Sequence, residues 1–220
     1  MQNKKLKLGL LGLAFPLLLT SQTIQDKHSI LSFQVGPSWQ VGDLMGLTDY
    51  SSPHRSDMRD GLSWRANYSY LLGKHRFRAV FGALYEGSRY SGSLPNSSDN
   101  VYYHYIAPQA GVCIMFPHCN FLFTGGVGYL GFWNNSEVYG KPRDVRKDKM
   151  AINLAWSGEY HLNRSFGVSA SLNWNYAVSD GYSVTYHGET WEVERPSFYV
   201  WSDGYELSRL ALTVGLNYHF

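Results

Sequence analysis

Residues 166–176 read Phe166-Gly167-Val168-Ser169-Ala170-Ser171-Leu172-Asn173-Trp174-Asn175-Tyr176. Every even position is apolar and every odd position is small or polar. Successive side chains of a strand point to opposite faces, so this alternation predicts a β-strand with one greasy face. The other face is Gly, Ser and Asn rather than Lys and Glu. A water-exposed face usually carries more charge, whereas small residues suit the crowded inside of a narrow barrel.

The same pattern recurs along the chain. The first strand, 31–42, sends Leu31, Phe33, Val35, Pro37, Trp39 and Val41 one way. Later strands carry their apolar residues at Leu62–Tyr70, Phe77–Tyr85, Ile106–Phe116, Phe121–Trp133, Ile152–Tyr160 and Leu210–Phe220, again at alternate positions. With 166–176 this makes eight strands, an even number that returns both ends to one side. Short turns follow the second, fourth and sixth strands. Long connections, 43–60, 91–102, 134–148 and 179–206, follow the first, third, fifth and seventh. A soluble sandwich gives no reason for such alternation; an up-and-down transmembrane β-barrel with short periplasmic turns and long extracellular loops does. Pro108 falls within the fourth strand, where it cannot donate to the ladder, and predicts a bulge or a shifted strand start.

Composition fits. Aromatics make up 16% of the 220 residues, with 17 Tyr and 7 Trp, and 22 Gly are present. The mean hydropathy of −0.28 is no objection, because a barrel exposes only alternate residues to lipid. Residues 1–22 open with Lys4, Lys5 and Lys7 before the apolar run 8–19, which predicts an export signal too short to be a membrane span. Without those lysines, 16 basic residues face 17 acidic ones, a balance that offers nothing to nucleic acid. The barrel domain is then 23–220. Cys113 and Cys119 are read as structural thiols or a labile disulfide, since strand pairing sets them diagonally; no metal site and no cofactor is expected.

The chain resembles the small outer-membrane barrels, the OmpA/OmpX-like superfamily, and especially the outer-membrane β-barrel domain common in Bacteroidota. The resemblance rests on this topology, on the Gly-rich stretch Gly125-Gly126-Val127-Gly128-Tyr129-Leu130-Gly131-Phe132, and on the last strand with Leu216, Tyr218 and a terminal Phe220. It implies a Gram-negative outer membrane as the location. It also implies that Leu216, Tyr218 and Phe220 form the signal read by the barrel-assembly machinery. With the sequence stopping at Phe220, OmpA-type wall anchoring is not expected.

Function is then expected of a monomeric scaffold. Eight strands enclose a lumen just wide enough for side chains, so a porin is disfavoured. Arg65, Arg78, Glu86, Glu159 and Arg209 all lie on the polar phase of their strands and are expected to pair inside the barrel. The last long connection, with 182–187 and 191–194 around Gly188, reads as a hairpin able to pair with a partner strand, or as a mere extension of the barrel. Trp191, Phe198, Tyr199 and Trp201 are candidate contacts for a glycan or protein. Lys141, Arg143, Arg146 and Lys147 are candidates for lipopolysaccharide phosphates, or a solvated loop. The rival readings are a lipid A-modifying barrel enzyme and an accessory barrel of a secretion or surface-assembly complex. For the enzyme, His54 with Ser56, His104, and His187 with Glu189 are the available groups, and none forms a recognisable triad.

Overall fold

A computed structural model describes residues 27–41, 58–179, 181–194 and 205–220. The export signal at 1–22, His54, Ser56, Phe198, Tyr199 and Trp201 lie outside the described residues.

The described chain is all strand and turn. Its elements are β1 (Ser29–Gln40), β2 (Asp60–Leu72), β3 (Phe77–Leu94), β4 (Ser97–Met115), β5 (Cys119–Val138), β6 (Lys141–His161), β7 (Phe166–Tyr176), β8 (Val178–Ser179), β9 (Gly181–Tyr186), β10 (Glu189–Glu194), β11 (Tyr205–Glu206) and β12 (Arg209–His219). Consecutive strands from β1 to β7 pair antiparallel, and β12 pairs with both β7 and β1. These eight strands close a ring, as the alternation predicts. Closure removes free sheet edges, which is what lets strands stand in an apolar solvent.

The two rims differ. At the lower rim the strands are joined by short turns after Leu72, Met115 and His161. The upper rim departs from the sequence reading, because two of the expected long connections are strand. β3 runs to Leu94 and β4 starts at Ser97; β5 runs to Val138 and β6 starts at Lys141. Tyr139 and Gly140 both take positive φ, 50° and 73°, as do His187 and Gly188 at 55° and 87°. Paired left-handed residues make the type I′ turn that matches strand twist. Tyr and His are unusual first residues for that turn, so the composition of 134–148 does not announce it. The four strands β3 to β6, of 18 to 21 residues, are each on the order of 65 Å long at about 3.4 Å per residue. The 11 to 13 residues of β1, β2, β7 and β12 suffice for one bilayer crossing. One wall therefore rises above the barrel. The β9–β10 hairpin widens it by pairing β9 with the upper part of β6, Arg143 opposite Tyr186 through Arg146 opposite Ser183.

The outward face is the apolar phase. Leu31, Phe33, Phe81, Ile106, Val127, Leu154 and Val214 are all exposed. From 31 to 39, 62 to 72, 77 to 87, 102 to 114, 121 to 133, 150 to 160, 166 to 176 and 210 to 218, no Asp, Glu, Lys or Arg occupies that phase. Aromatics bracket the band: Tyr68, Tyr70, Tyr160, Phe166 and Tyr218 below, Tyr85, Tyr129, Trp133, Trp174 and Tyr176 above. Such girdles sit where a membrane meets water.

Pro108 produces no bulge. The β4–β5 ladder lapses at Ala107 and Pro108 but resumes in the same register, with Ile106 opposite Tyr129 and Gln109 opposite Gly126. Glycine makes this possible: a Cβ on Gly126 would stand 2.4 Å from the Pro108 carbonyl oxygen, and one on Gly128 would stand 2.1 Å from that of Ile106. Pro37 in β1 has the same lapse against β12. Cys113 and Cys119 are both free thiols, Cys113 buried, so no disulfide forms between them.

Candidate functional site

The polar phase turns inward and is buried, and its side chains reach one another across the lumen. At the upper ends of β7 and β12, Glu86 of β3 accepts Nη2 of Arg209 at 3.2 Å, Nε of Arg209 at 3.3 Å, and Nδ2 of Asn175 at 2.7 Å, all on Oε1. Arg209 and Asn175 are direct partners in the β12–β7 ladder, while Arg65 is the direct partner of Glu86 in β2–β3. The Arg209 guanidinium also lies 4.8 Å above the Tyr103 ring, a cation–π contact that partly offsets its lost hydration. Tyr103 in turn donates to Gln40 of β1 at 2.8 Å. Asn175 accepts Asn153 at 3.1 Å, and Asn153 accepts Gln109 at 3.1 Å. A buried relay thus runs from β4 through β6 and β7 to β3. Lower down, Gln34 donates to Ser169 at 2.7 Å and accepts Thr213 at 3.0 Å, and Ser169 donates to Asn217 at 2.9 Å.

The five ionisable residues named from sequence do not meet at one point. Arg65, Glu86 and Arg209 gather near the upper ends of β7 and β12. Arg78 donates to the carbonyls of His75, at 3.2 Å, and Lys27, at 3.1 Å, by the lower rim. Glu159 is engaged elsewhere, 2.6 Å from His219 Nε2 and 2.8 Å from Asn120 Nδ2. Asn120 also lies 3.0 Å from Nε2 of His161. His161 and His219 were missed because each ends a strand: one resembles a turn residue, the other sits between the apolar Tyr218 and Phe220. Their polar phase was the available signal.

Above the polar relay apolar side chains form a buried cluster, on strands that also bury Asp99 and Asn134. Tyr90, Tyr103, Phe132, Val145, Val184 and Leu207 belong to one buried cluster that continues up the raised wall. Tyr90 packs edge-on against Tyr103 at 5.7 Å, and Tyr103 against Phe132 at 5.2 Å. This core was not foreseen, since a loop assignment for 134–148 leaves Val145 with no face to bury.

The basic group named at 141–147 is divided by the pleat. Arg146 is exposed on the outward phase opposite Trp133; Lys141, Arg143 and Lys147 are on the other phase. Arg89, exposed on the outward phase of β3, lies 5.5 Å from the Tyr102 ring and donates to Asn100 at 3.2 Å. Trp191 stands opposite Val184 and is 44% exposed. His104 faces outward, 2.8 Å from the Tyr85 hydroxyl, with its ring 4.6 Å from that of Trp133. At the bottom of the barrel, Leu216, Tyr218 and Phe220 are exposed in the outward band. Phe220 exchanges two 3.1 Å backbone hydrogen bonds with Ser29, and its ring stacks on that of Tyr218.

No family model matches the chain, and no curated protein matches it in sequence. Solved structures do match in shape. The outer membrane protease OmpT of Escherichia coli is 14% identical, with a TM-score of 0.51 over 91% of this chain and 100% of that one. Neisserial surface protein A (NspA) is 10% identical, with a TM-score of 0.52 over 87% and 97%. A major outer membrane protein from Thermus thermophilus is 11% identical, with a TM-score of 0.55 over 87% and 99%. At such identities the likeness concerns architecture alone. With the closed ring, the outward apolar band and the buried polar relay, the chain has the eight-stranded barrel fold of bacterial outer-membrane proteins.

Proposed function

We propose that this chain is an exported, integral outer-membrane barrel with a filled lumen and no enzymatic activity, whose interactions are made by its raised wall. The observation that carries the reading is the contact between opposite walls: Glu86 with Arg209, and Tyr103 with Gln40. Side chains meeting across the lumen support a filled interior, as expected for eight strands. The experiment is conductance in planar bilayers. The reading expects no stable current steps from the refolded chain; reproducible steps abolished by removal of the protein would overturn it.

Two features support contact with lipopolysaccharide. Arg89 and Arg146 are the outward-phase cations above the apolar band on β3 and β6, and each lies beside an aromatic residue. Cations at that height suit the phosphates of a lipid headgroup. Catalysis on lipid has less to build on. Of the two candidate histidines within the described residues, His104 is packed between Tyr85 and Trp133 on the outer face, and His187 closes a hairpin turn. The protease activity in OmpT's name does not transfer at 14% identity. An unchanged lipid A mass spectrum after expression in a lipopolysaccharide-producing host is the expected outcome.

An accessory role in a surface-assembly complex is favoured by one observation. Among the described residues β10 is paired on one side only, and all its residues but Val193 are exposed. Such an edge can take up a partner strand. Proteins that co-purify from detergent extracts, and are lost when the β9–β10 hairpin is shortened, would support this role.

A further inference from the structure

Three ligand-type side chains converge inside the lower rim. Glu159 and His161 are two residues apart on β6 and therefore share a face. His219 comes from β12, on the far side of the intervening β7. All three are buried, and one ligand atom from each falls within 4.8 Å of the others. Asn120, the direct ladder partner of Glu159, donates to Glu159 Oε2 at 2.8 Å and lies 3.0 Å from His161 Nε2.

As a purely hydrogen-bonded cluster this one is incomplete. Oδ1 of Asn120 and Nδ1 of His219 are buried with no hydrogen-bond partner, and buried polar atoms are normally satisfied. Space is also cleared for the carboxylate. A Cβ at Gly167, the ladder partner of His161, would stand 1.9 Å from Glu159 Oε1, so only glycine lets that group lie over β7. The two imidazole rings meet edge-on with centroids 5.6 Å apart, and His219 directs its Nε2 at the carboxylate.

We propose that Glu159, His161 and His219 bind a divalent transition-metal ion of the zinc class, with Asn120 orienting the carboxylate. Two imidazoles and one carboxylate are a nitrogen–oxygen set that suits such ions and disfavours magnesium or calcium, which take oxygen donors. Ligand distances of about 2.0–2.1 Å place tetrahedral donor atoms about 3.3 Å apart. The Glu159–His219 contact, now 2.6 Å, opens by less than about 1 Å to reach that spacing, and the wider separations close in by side-chain rotation. The ion takes the place of the proton shared between Glu159 and His219. It then ties β6 to β12 across β7, beside the last residues of the closing strand. The fourth position is left to water or to Asn120.

The test uses the full chain refolded in detergent, with its unboiled gel band as the control for folding. The protein is stripped with EDTA and titrated with zinc chloride against a chromophoric chelator; cobalt(II) is then substituted and its visible spectrum read. One zinc per chain is expected, held at least tenfold more tightly than by the His161→Gln/His219→Gln double variant and unaffected by His187→Gln. Equal binding by wild type and the double variant would overturn the site, as would a folded wild type that surrenders all zinc to the chelator. Should the double variant not fold, the wild-type cobalt spectrum decides. Intense tetrahedral-type bands support the site, and a spectrum identical to aqueous cobalt overturns it.

Discussion

Glu86 and Arg209 lie 123 positions apart in sequence, yet their side chains meet at 3.2 Å inside the barrel, both fully buried. With Arg65 directly opposite Glu86, one carboxylate serves two guanidinium groups. Removing it leaves buried charge uncompensated, which costs about 3–5 kcal/mol, whereas replacing both partners by apolar groups is far milder. Glu86→Ala should therefore destabilise the refolded barrel by about that amount in urea titrations, and Glu86→Leu with both Arg65→Met and Arg209→Met by clearly less. An equal loss for both would mean that the three charges are not the unit.

The outward band makes a depth-dependent prediction. Val214 sits near the middle of β12, 55% exposed, and Met150 near the top of the band on β6, 62% exposed. An arginine at the bilayer midplane costs about 2–4 kcal/mol and near the interface about 0–1. Val214→Arg should lower stability in lipid vesicles by the larger figure and Met150→Arg by the smaller. Equal effects would count against a membrane centred on Val214.

Much of this was legible in the sequence because a strand alternates with a period of two. From Leu31 to Trp39, and from Phe166 to Tyr176, the residue at each position states which face it occupies, and the charges Arg65, Glu86 and Arg209 follow. What escaped was the height of the walls. Residues 134–148 are polar and charged on both phases, so nothing local separates a solvated loop from a strand standing above a membrane. Only pairing with β5 and β9 makes it strand. The grouping of inward charges was likewise unreadable, because phase gives a face but not a partner. Hence Arg78 and Glu159 share a buried face without sharing a partner, and the lower cluster of Glu159 with Asn120, His161 and His219 has no signature in the alternation.

Gly167 is the pivot of that lower cluster. A Cβ there meets Oε1, Cδ and Cγ of Glu159 at 1.9, 2.7 and 2.9 Å, so the whole side chain must move. Gly167→Ala should cost about 1–3 kcal/mol through overpacking and break the contact with His219. Unfolding titrations measure the first effect. The histidine NMR signals of the refolded chain report the second, and unchanged signals with unchanged stability would contradict this packing.

Phe220 separates folding from assembly. Its contacts with Ser29 are backbone hydrogen bonds, which Phe220→Ala preserves, so stability after refolding in vitro should change by no more than about 1 kcal/mol. If Leu216, Tyr218 and Phe220 act as an assembly signal, the amount of barrel inserted in cells should nonetheless fall severalfold. A matching loss in vitro and in cells would reduce Phe220 to a packing residue.

If the exposed apolar band is a membrane surface around a closed ring, gel mobility with and without boiling will report it. The chain refolded in detergent should run as a compact, faster band when unboiled. After boiling it should shift to the position of its 25.0 kDa mass, and it should stay out of aqueous solution when detergent is removed. A single band indifferent to heating, from protein that remains dissolved without detergent, would mean that the band faces something other than lipid.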